Sequence, residues 1–305
     1  MRFWGLGLCL LALGASSAHA MAPEPSRVIT ETKDRLTLDE LAVYVAGPVA
    51  LSRAGDIAGA DRALNVLVDE RARRYGRDSI EVADTLNGFM LTLFADDRKR
   101  EALTYAPRVI DAVRRAWGSD HLEYALTLVD VVQMDFMVNG DAVSAQAEAA
   151  MLEAYRIRLE RLGPAHKETI STLIYLGRVQ GQRSRTGGEL ARATPAIQSL
   201  RRAIEAIEAN TPPETTDNIW ARNWLAQVYA RNGALDVALQ TFAKTVDVAR
   251  AQDALWRVDP QGLADALVEG GFETQAAALL QPYLDAPPDA DAAAPASSAP
   301  PQPPR

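Results

Sequence analysis

Residues Asn218 to Ala251 read NIWARNWLAQVYARNGALDVALQTFAKTVDVARA, and their spacing decides the fold. Leu225, Ala226 and Tyr229 fall at i, i+1 and i+4, so they share one face of a helix. Ala238, Phe242, Thr245 and Val246 make the matching stripe on a second helix. The pattern breaks at Asn232-Gly233, where a glycine adopts the left-handed conformation that ends a helix at little cost. A small alanine set against a tyrosine and a phenylalanine lets the two helices approach closely. One such hairpin cannot bury both of its faces, so the stretch predicts neighbours of its own kind.

Five further units are found. Leu38 to Arg74 sets Leu41, Val45, Val49 and Leu51 on one helix, Gly55 at a turn, and Ala60, Leu64 and Leu67 on a second. Pro48 predicts a bend or break near Gly47, since an interior proline costs a helix ~3 kcal/mol. From about Ile80 to Trp117, Leu86, Met90 and Leu93 precede an Asp96-Asp97 turn, and Ala102, Ala106 and Val109 follow it. From about Glu123 to Leu162, Leu128, Val132 and Phe136 lead to Asn139-Gly140 and then Ala145, Ala149 and Leu152. From about Glu168 to Ala209, Leu173, Leu176 and Gly177 precede a polar loop, Gln182 to Thr194. Thr194-Pro195 is expected to open the next helix as cap and first residue, with a stripe of Ala196, Leu200, Ala203 and Ile207. Pro260 to Asp285 repeats the small-large pattern with Leu263, Ala264, Leu267, Gly270-Gly271, Ala276, Leu280 and Tyr283.

The junctions between units also repeat. Tyr75-Gly76-Arg77-Asp78-Ser79, Trp117-Gly118-Ser119-Asp120-His121 and Leu162-Gly163-Pro164-Ala165-His166 are three copies of one pattern, each followed by an acidic helix start at Glu81, Glu123 or Glu168. The turns at Gly55, Asp97, Gly140, about Gly187, Gly233 and Gly271 lie mostly forty-odd residues apart, against ~34 for the standard tetratricopeptide (TPR) unit. The Leu-Ala-x-x-Tyr-x-x-x-Gly-x-x-x-x-Ala-x-x-x-Phe spacing resembles a TPR repeat. The Gly-x-x-His junction is similar to the longer-helix variant of kinesin light chains and many bacterial proteins, without the proline that follows histidine there. The resemblance covers roughly residues 38 to 285 and implies an all-α, right-handed solenoid of about six helix pairs.

The ends read differently. Arg2, an apolar run from Phe3 to Leu13 and the Ala18-His19-Ala20 end have the form of a signal peptide cut after Ala20. The run is too short for a spanning helix, which needs ~20 apolar residues. Cleavage would remove Cys9, the only cysteine, and with Arg2 gone the formal charge moves from −8 to −9. The mature chain would then have neither disulfides nor thiol chemistry, and is expected to be periplasmic or secreted. Residues 21–37 form a polar leader. Residues 286–305 form a Pro/Ala/Ser tail without apolar periodicity, expected to be disordered. So acidic a chain carries no electrostatic footprint for nucleic acid or anionic lipid.

No catalytic constellation, cofactor motif or metal motif is present, so the chain is read as a non-enzyme. His121 and His166 hold equivalent junction positions, which predicts a shared structural role at helix N-termini, where free backbone N–H groups await acceptors. Gly187-Gly188 lacks the Gly-Lys-Ser/Thr end of a phosphate loop. What remains is surface. The TPR resemblance implies a concave groove lined by the first helix of each pair, holding a protein or peptide segment. Its positions here are Asp84 and Asn87, then Thr127, Asp130 and Met134, then Ile174 and Arg178, then Trp220, Asn223, Gln227 and Arg231. Trp220 either packs between repeats or faces the ligand. The reading is an exported interaction scaffold of the bacterial cell envelope. The rivals are an adaptor that self-associates through its end repeats and an all-helical enzyme built on groove residues such as Asp130.

Overall fold

The computed structural model describes residues 38–140, 144–183, 190–209 and 215–284. The signal-peptide, leader and tail readings, and the turn expected near Gly187, lie outside them. Among the described residues the chain forms thirteen α-helices and no strand: α1 (Leu38–Arg53), α2 (Ile57–Tyr75), α3 (Ile80–Ala95), α4 (Lys99–Thr104), α5 (Ala106–Trp117), α6 (Leu122–Asn139), α7 (Ala145–Leu162), α8 (Lys167–Arg183), α9 (Leu190–Ala209), α10 (Thr215–Arg231), α11 (Leu235–Ala251), α12 (Pro260–Glu269) and α13 (Glu273–Leu284). None of the described helices is long and apolar enough to cross a membrane.

The helices pack in sequence-adjacent pairs, α1 on α2, α3 on α4–α5, α6 on α7, α8 on α9, α10 on α11 and α12 on α13. Each pair then stacks on the next, as α2 on α3, α5 on α6, α7 on α8 and α9 on α10. A continuous apolar core runs from Val45 to Val228, and a second cluster joins α10 to the last pair through Ala226, Phe242, Leu263, Leu267 and Ala276. Leu263, Ala264, Leu267 and Ala276 of that pair are buried in this cluster, while Val268 stays exposed. Gly177 allows one close approach, because a Cβ there would sit 2.6 Å from Leu200 Cγ.

The turns follow the sequence reading. Gly55, Asp97, Gly140, Gly233 and Gly271 all have positive φ. The junction copies share one geometry too. Gly76, Gly118 and Gly163 have φ of 98°, 91° and 84° with ψ of 153°, 157° and 168°, and each N–H donates to the carbonyl four residues back. That backbone region is accessible essentially to glycine alone. A Cβ at Gly118 would meet nothing within 4 Å, so the penalty for filling it is purely backbone strain. Gly118→Ala is expected to cost about 1–3 kcal/mol of stability, read as a lower melting temperature; an unchanged midpoint would contradict this.

Ser79, His121 and His166 then cap the following helices. Ser79 Oγ accepts from Val82 N–H at 3.4 Å, while His121 Nδ1 and His166 Nδ1 accept from the N–H groups of Glu123 and Glu168 at 3.1 and 3.2 Å. Accepting at Nδ1 requires that nitrogen to be unprotonated. Burial, with Lys167 and Arg158 adding to it, holds His166 below its ordinary value and favours that state.

Several sequence expectations are corrected. The helix α1 runs through Pro48 without interruption. Leu51 falls on its exposed side. The second helix of the second unit is split at Tyr105 into α4 and α5, because Pro107 has no N–H for the Leu103 carbonyl. On α7 the buried stripe is Ala147, Met151, Ala154, Ile157 and Arg158, so Ala145, Ala149 and Leu152 face outward. The helix α9 starts at Leu190 rather than at Thr194-Pro195 and takes Pro195 into its interior; the added turn buries Ala193 in the core.

Candidate binding face

The first helices of the third, fourth and fifth pairs, α6, α8 and α10, carry a set of side chains that meet across the repeats. The Arg178 guanidinium on α8 lies over the Phe136 ring of α6 at 4.3 Å and over the Trp224 ring of α10 at 5.0 Å. Trp224 in turn lies 5.9 Å from Tyr175 and 5.9 Å from Trp220, centroid to centroid. Arg178 is half-buried, and the rings around it are mostly covered. A cation held over two aromatic faces is favourable and rigid. Burial raises the Tyr175 hydroxyl above its ordinary value, with Asp217 and Asp130 adding and Arg178 opposing, so it stays protonated.

Asp130, Tyr175 and Trp224 occupy corresponding places on these three helices. Asp130 and Tyr175 each stand nine residues after their capping histidine. Asp130 is half-buried, and loss of hydration pushes its carboxyl up to about 7; Arg158 opposes the shift, and Glu123 and Glu168 add to it. Below it lies a buried charge cluster. Arg158, on α7 and 2% exposed, donates to Thr172 Oγ1 at 2.7 Å and to the Glu168 carbonyl at 3.3 Å. It also pairs with the Glu168 carboxylate at 3.3 Å, while Thr169 Oγ1 donates back to the Arg158 carbonyl at 3.2 Å. Glu123 and Glu168 are 2% and 1% exposed. Burial lowers the Arg158 guanidinium from its ordinary value, against the pull of Glu168, Asp130 and Glu123.

The sequence-predicted groove residues divide into two groups. Asn87, Asp130, Arg178 and Arg231 remain partly exposed. Met134 and Ile174 are buried core residues, and Asp84 is buried as well. Thr127 is buried and its hydroxyl is used within α6, donating to the Glu123 carbonyl at 2.9 Å. Trp220, 3% exposed, packs inside the main core. Asn223 is buried and clamps the link before α12, its Nδ2 donating to the Arg257 carbonyl at 3.0 Å and its Oδ1 accepting from Asp259 N–H at 3.4 Å. Gln227 Nε2 donates to Asp259 Oδ2 at 2.9 Å, while Asp259 Oδ1 caps α12 by accepting from Gly262 N–H. Arg231 pairs with Glu269 at 3.0 Å. On α10 the expected groove positions are thus filled by the chain itself.

Phe136, Tyr175 and Trp224 were not singled out as surface residues. Among the described residues, no three His, Cys, Asp or Glu side chains are grouped so as to hold a metal ion.

Six stacked helix pairs, glycine-turned and capped in register, define a TPR-like helical-repeat solenoid. The sequence matches no protein-family model and no curated protein. Among solved structures, the fold is similar to nearly identical TPR-like repeats of a Podosopora anserina kinesin light chain. One crystal structure gives a TM-score of 0.51 at 14% identity, covering 72% of this chain and 100% of that one. A second gives 0.50 at 14% identity, covering 72% and 99%.

Proposed function

We propose that this chain is an exported protein-interaction scaffold of a bacterial cell envelope, binding a segment of a partner protein on the face formed by α3, α6, α8 and α10. The observation that carries the reading is the Arg178 guanidinium held across Phe136 and Trp224, three repeats joined by one partly exposed cation on a rigid aromatic base. A pre-formed surface of this kind loses little entropy on binding. Asn87 extends the face on α3 with a half-buried amide that can both donate and accept to a peptide backbone. Export rests on the charge, apolar run and small-residue end of residues 1–20. Recognition without covalent chemistry is the mechanism.

The test uses the full chain, expressed with residues 1–20, recovered from the envelope fraction and weighed to check cleavage after Ala20. It is then used as bait in envelope extract beside an Arg178→Ala, Asn87→Ala variant. Partners kept by the wild type should be lost by the variant, by a margin of about 2 kcal/mol or more for a central contact, while helical signal and melting temperature stay close to wild type. Equal capture by both proteins would remove the face from consideration, and an uncleaved or cytosolic product would remove export.

A further inference from the structure

The outer side of α1, at the N-terminal end of the array, is apolar and exposed. Val45, Pro48, Val49 and Ser52 make the buried side of that helix, which packs on α2 and α3. Val43, Gly47, Ala50 and Leu51 stand away from it and are exposed, Val43 by 74%. No charge falls on α1 between Glu40 and Arg53. Gly47 is the sharper sign. Glycine weakens a helix interior, and a Cβ there would meet nothing within 4 Å, so no described neighbour calls for it. It leaves room for another backbone to lie close. At the other end of the array, α13 exposes no large apolar residue among its described side chains. A repeat array stays soluble when its end faces are polar or covered, and the α1 end is not polar.

The residues directly before α1 have the matching chemistry. Val28, Ile29 and Thr32 fall on one side of a helix, and Arg27, Glu31 and Arg35 run along its flank at i, i+4 spacing, where opposite charges pair. Thr37 and Glu40 have the spacing of a capping box at the start of α1, and Leu36 and Leu41 that of the apolar pair that fixes how a chain enters a helix. Such a start sets a turn at Thr37. Counting both ways from it, Thr32 comes level with Val43 and Val28 with Gly47.

We propose that residues 26–36 fold back as a short amphipathic helix on the outer side of α1, with Val28 and Ile29 about Gly47 and Thr32 beside Val43. A tethered segment competes at an effective concentration of about millimolar, so it takes this face ahead of a second copy of the chain. The contact is independent of the proposed binding face on α3, α6, α8 and α10.

Hydrogen exchange on the full chain, read by mass spectrometry over residues 27–37, tests this, with light scattering for the mass. In the wild type these amides should exchange roughly tenfold or more slowly than in a free peptide of the same sequence, since so short a helix is not stable alone. Ile29→Asp, which alters only the segment, and Val43→Asp, at an exposed position, should each return them to the free-peptide rate while the amides of α6 and α8 keep theirs. Wild-type amides at the free-peptide rate overturn the proposal. If the mass is then doubled and Val43→Asp halves it, the face belongs to a second copy. Slow exchange that persists in either variant also overturns it, because the segment is then held elsewhere.

Discussion

Arg158→Ala is expected to destabilise the protein by about 3–5 kcal/mol, because it removes a buried guanidinium that pairs with the buried Glu168 carboxylate. Glu168 would lose its ion pair at 3.3 Å, and Thr172 Oγ1 would lose its donor at 2.7 Å. Truncating one partner of a buried pair costs far more than the pair is worth, since the other charge stays in place unpaired. Arg158→Met combined with Glu168→Gln should therefore lose less than Arg158→Ala alone, although it changes more atoms. Denaturant unfolding of the three proteins checks both statements. An Arg158→Ala midpoint near that of the wild type, or a double variant worse than the single one, would show that the cluster is not balanced in this way.

Asp130→Asn should act in the opposite direction, and only above a certain pH. The folded chain holds the Asp130 proton up to about 7, while an unfolded carboxyl releases it near its ordinary value of 3.8. Below that lower value both states are protonated and the site carries no penalty. As pH rises through the window the unfolded state ionises first, so wild-type stability falls, and the loss is complete above about 7. The asparagine variant has no such proton, so it should match the wild type at about pH 4 and exceed it at about pH 8 by about 1–4 kcal/mol. The difference in unfolding free energy, measured across that range, gives the curve. A gap that is constant with pH, or that closes as pH rises, would contradict it.

What the sequence revealed and what it hid follow from the range of the interactions involved. Turns and caps are local. Gly233, Gly140 and Asp97 could be placed because left-handed backbone belongs to a few residue types, and His121 and His166 because an acceptor at a helix start has nearby N–H groups to meet. The α7 stripe was misplaced because alanine occurs on both faces of that helix, and because the buried row contains Arg158, which reads as surface until its partners on α8 are seen. Pro195 reads as a helix start because proline is favoured there, yet the helix begins at Leu190 and buries Ala193. The groove positions on α10 failed for a longer-range reason. Asn223 and Gln227 bond to residues 257 and 259, more than thirty positions away, and no periodicity within α10 reports that. Asp130 and Arg178 were selected by repeat position alone. The rings under Arg178, Phe136 and Trp224, come from two other helices, and the charges that bear on Asp130 come partly from α7 and α8.

The way Arg158 is shared also changes what counts as one interchangeable part of this array. By sequence, the chain divides cleanly at Leu162-Gly163, between the third and fourth units. By charge it does not, because the guanidinium lies before that boundary and its acceptors, Glu168 and Thr172, lie after it. A graft, deletion or shuffled repeat with its seam there would leave a buried ion on each side of the join. The smallest piece that could be moved intact through this region is two units long, α6 to α9. The freedom to gain or lose single repeats that solenoids usually enjoy is suspended at that one boundary.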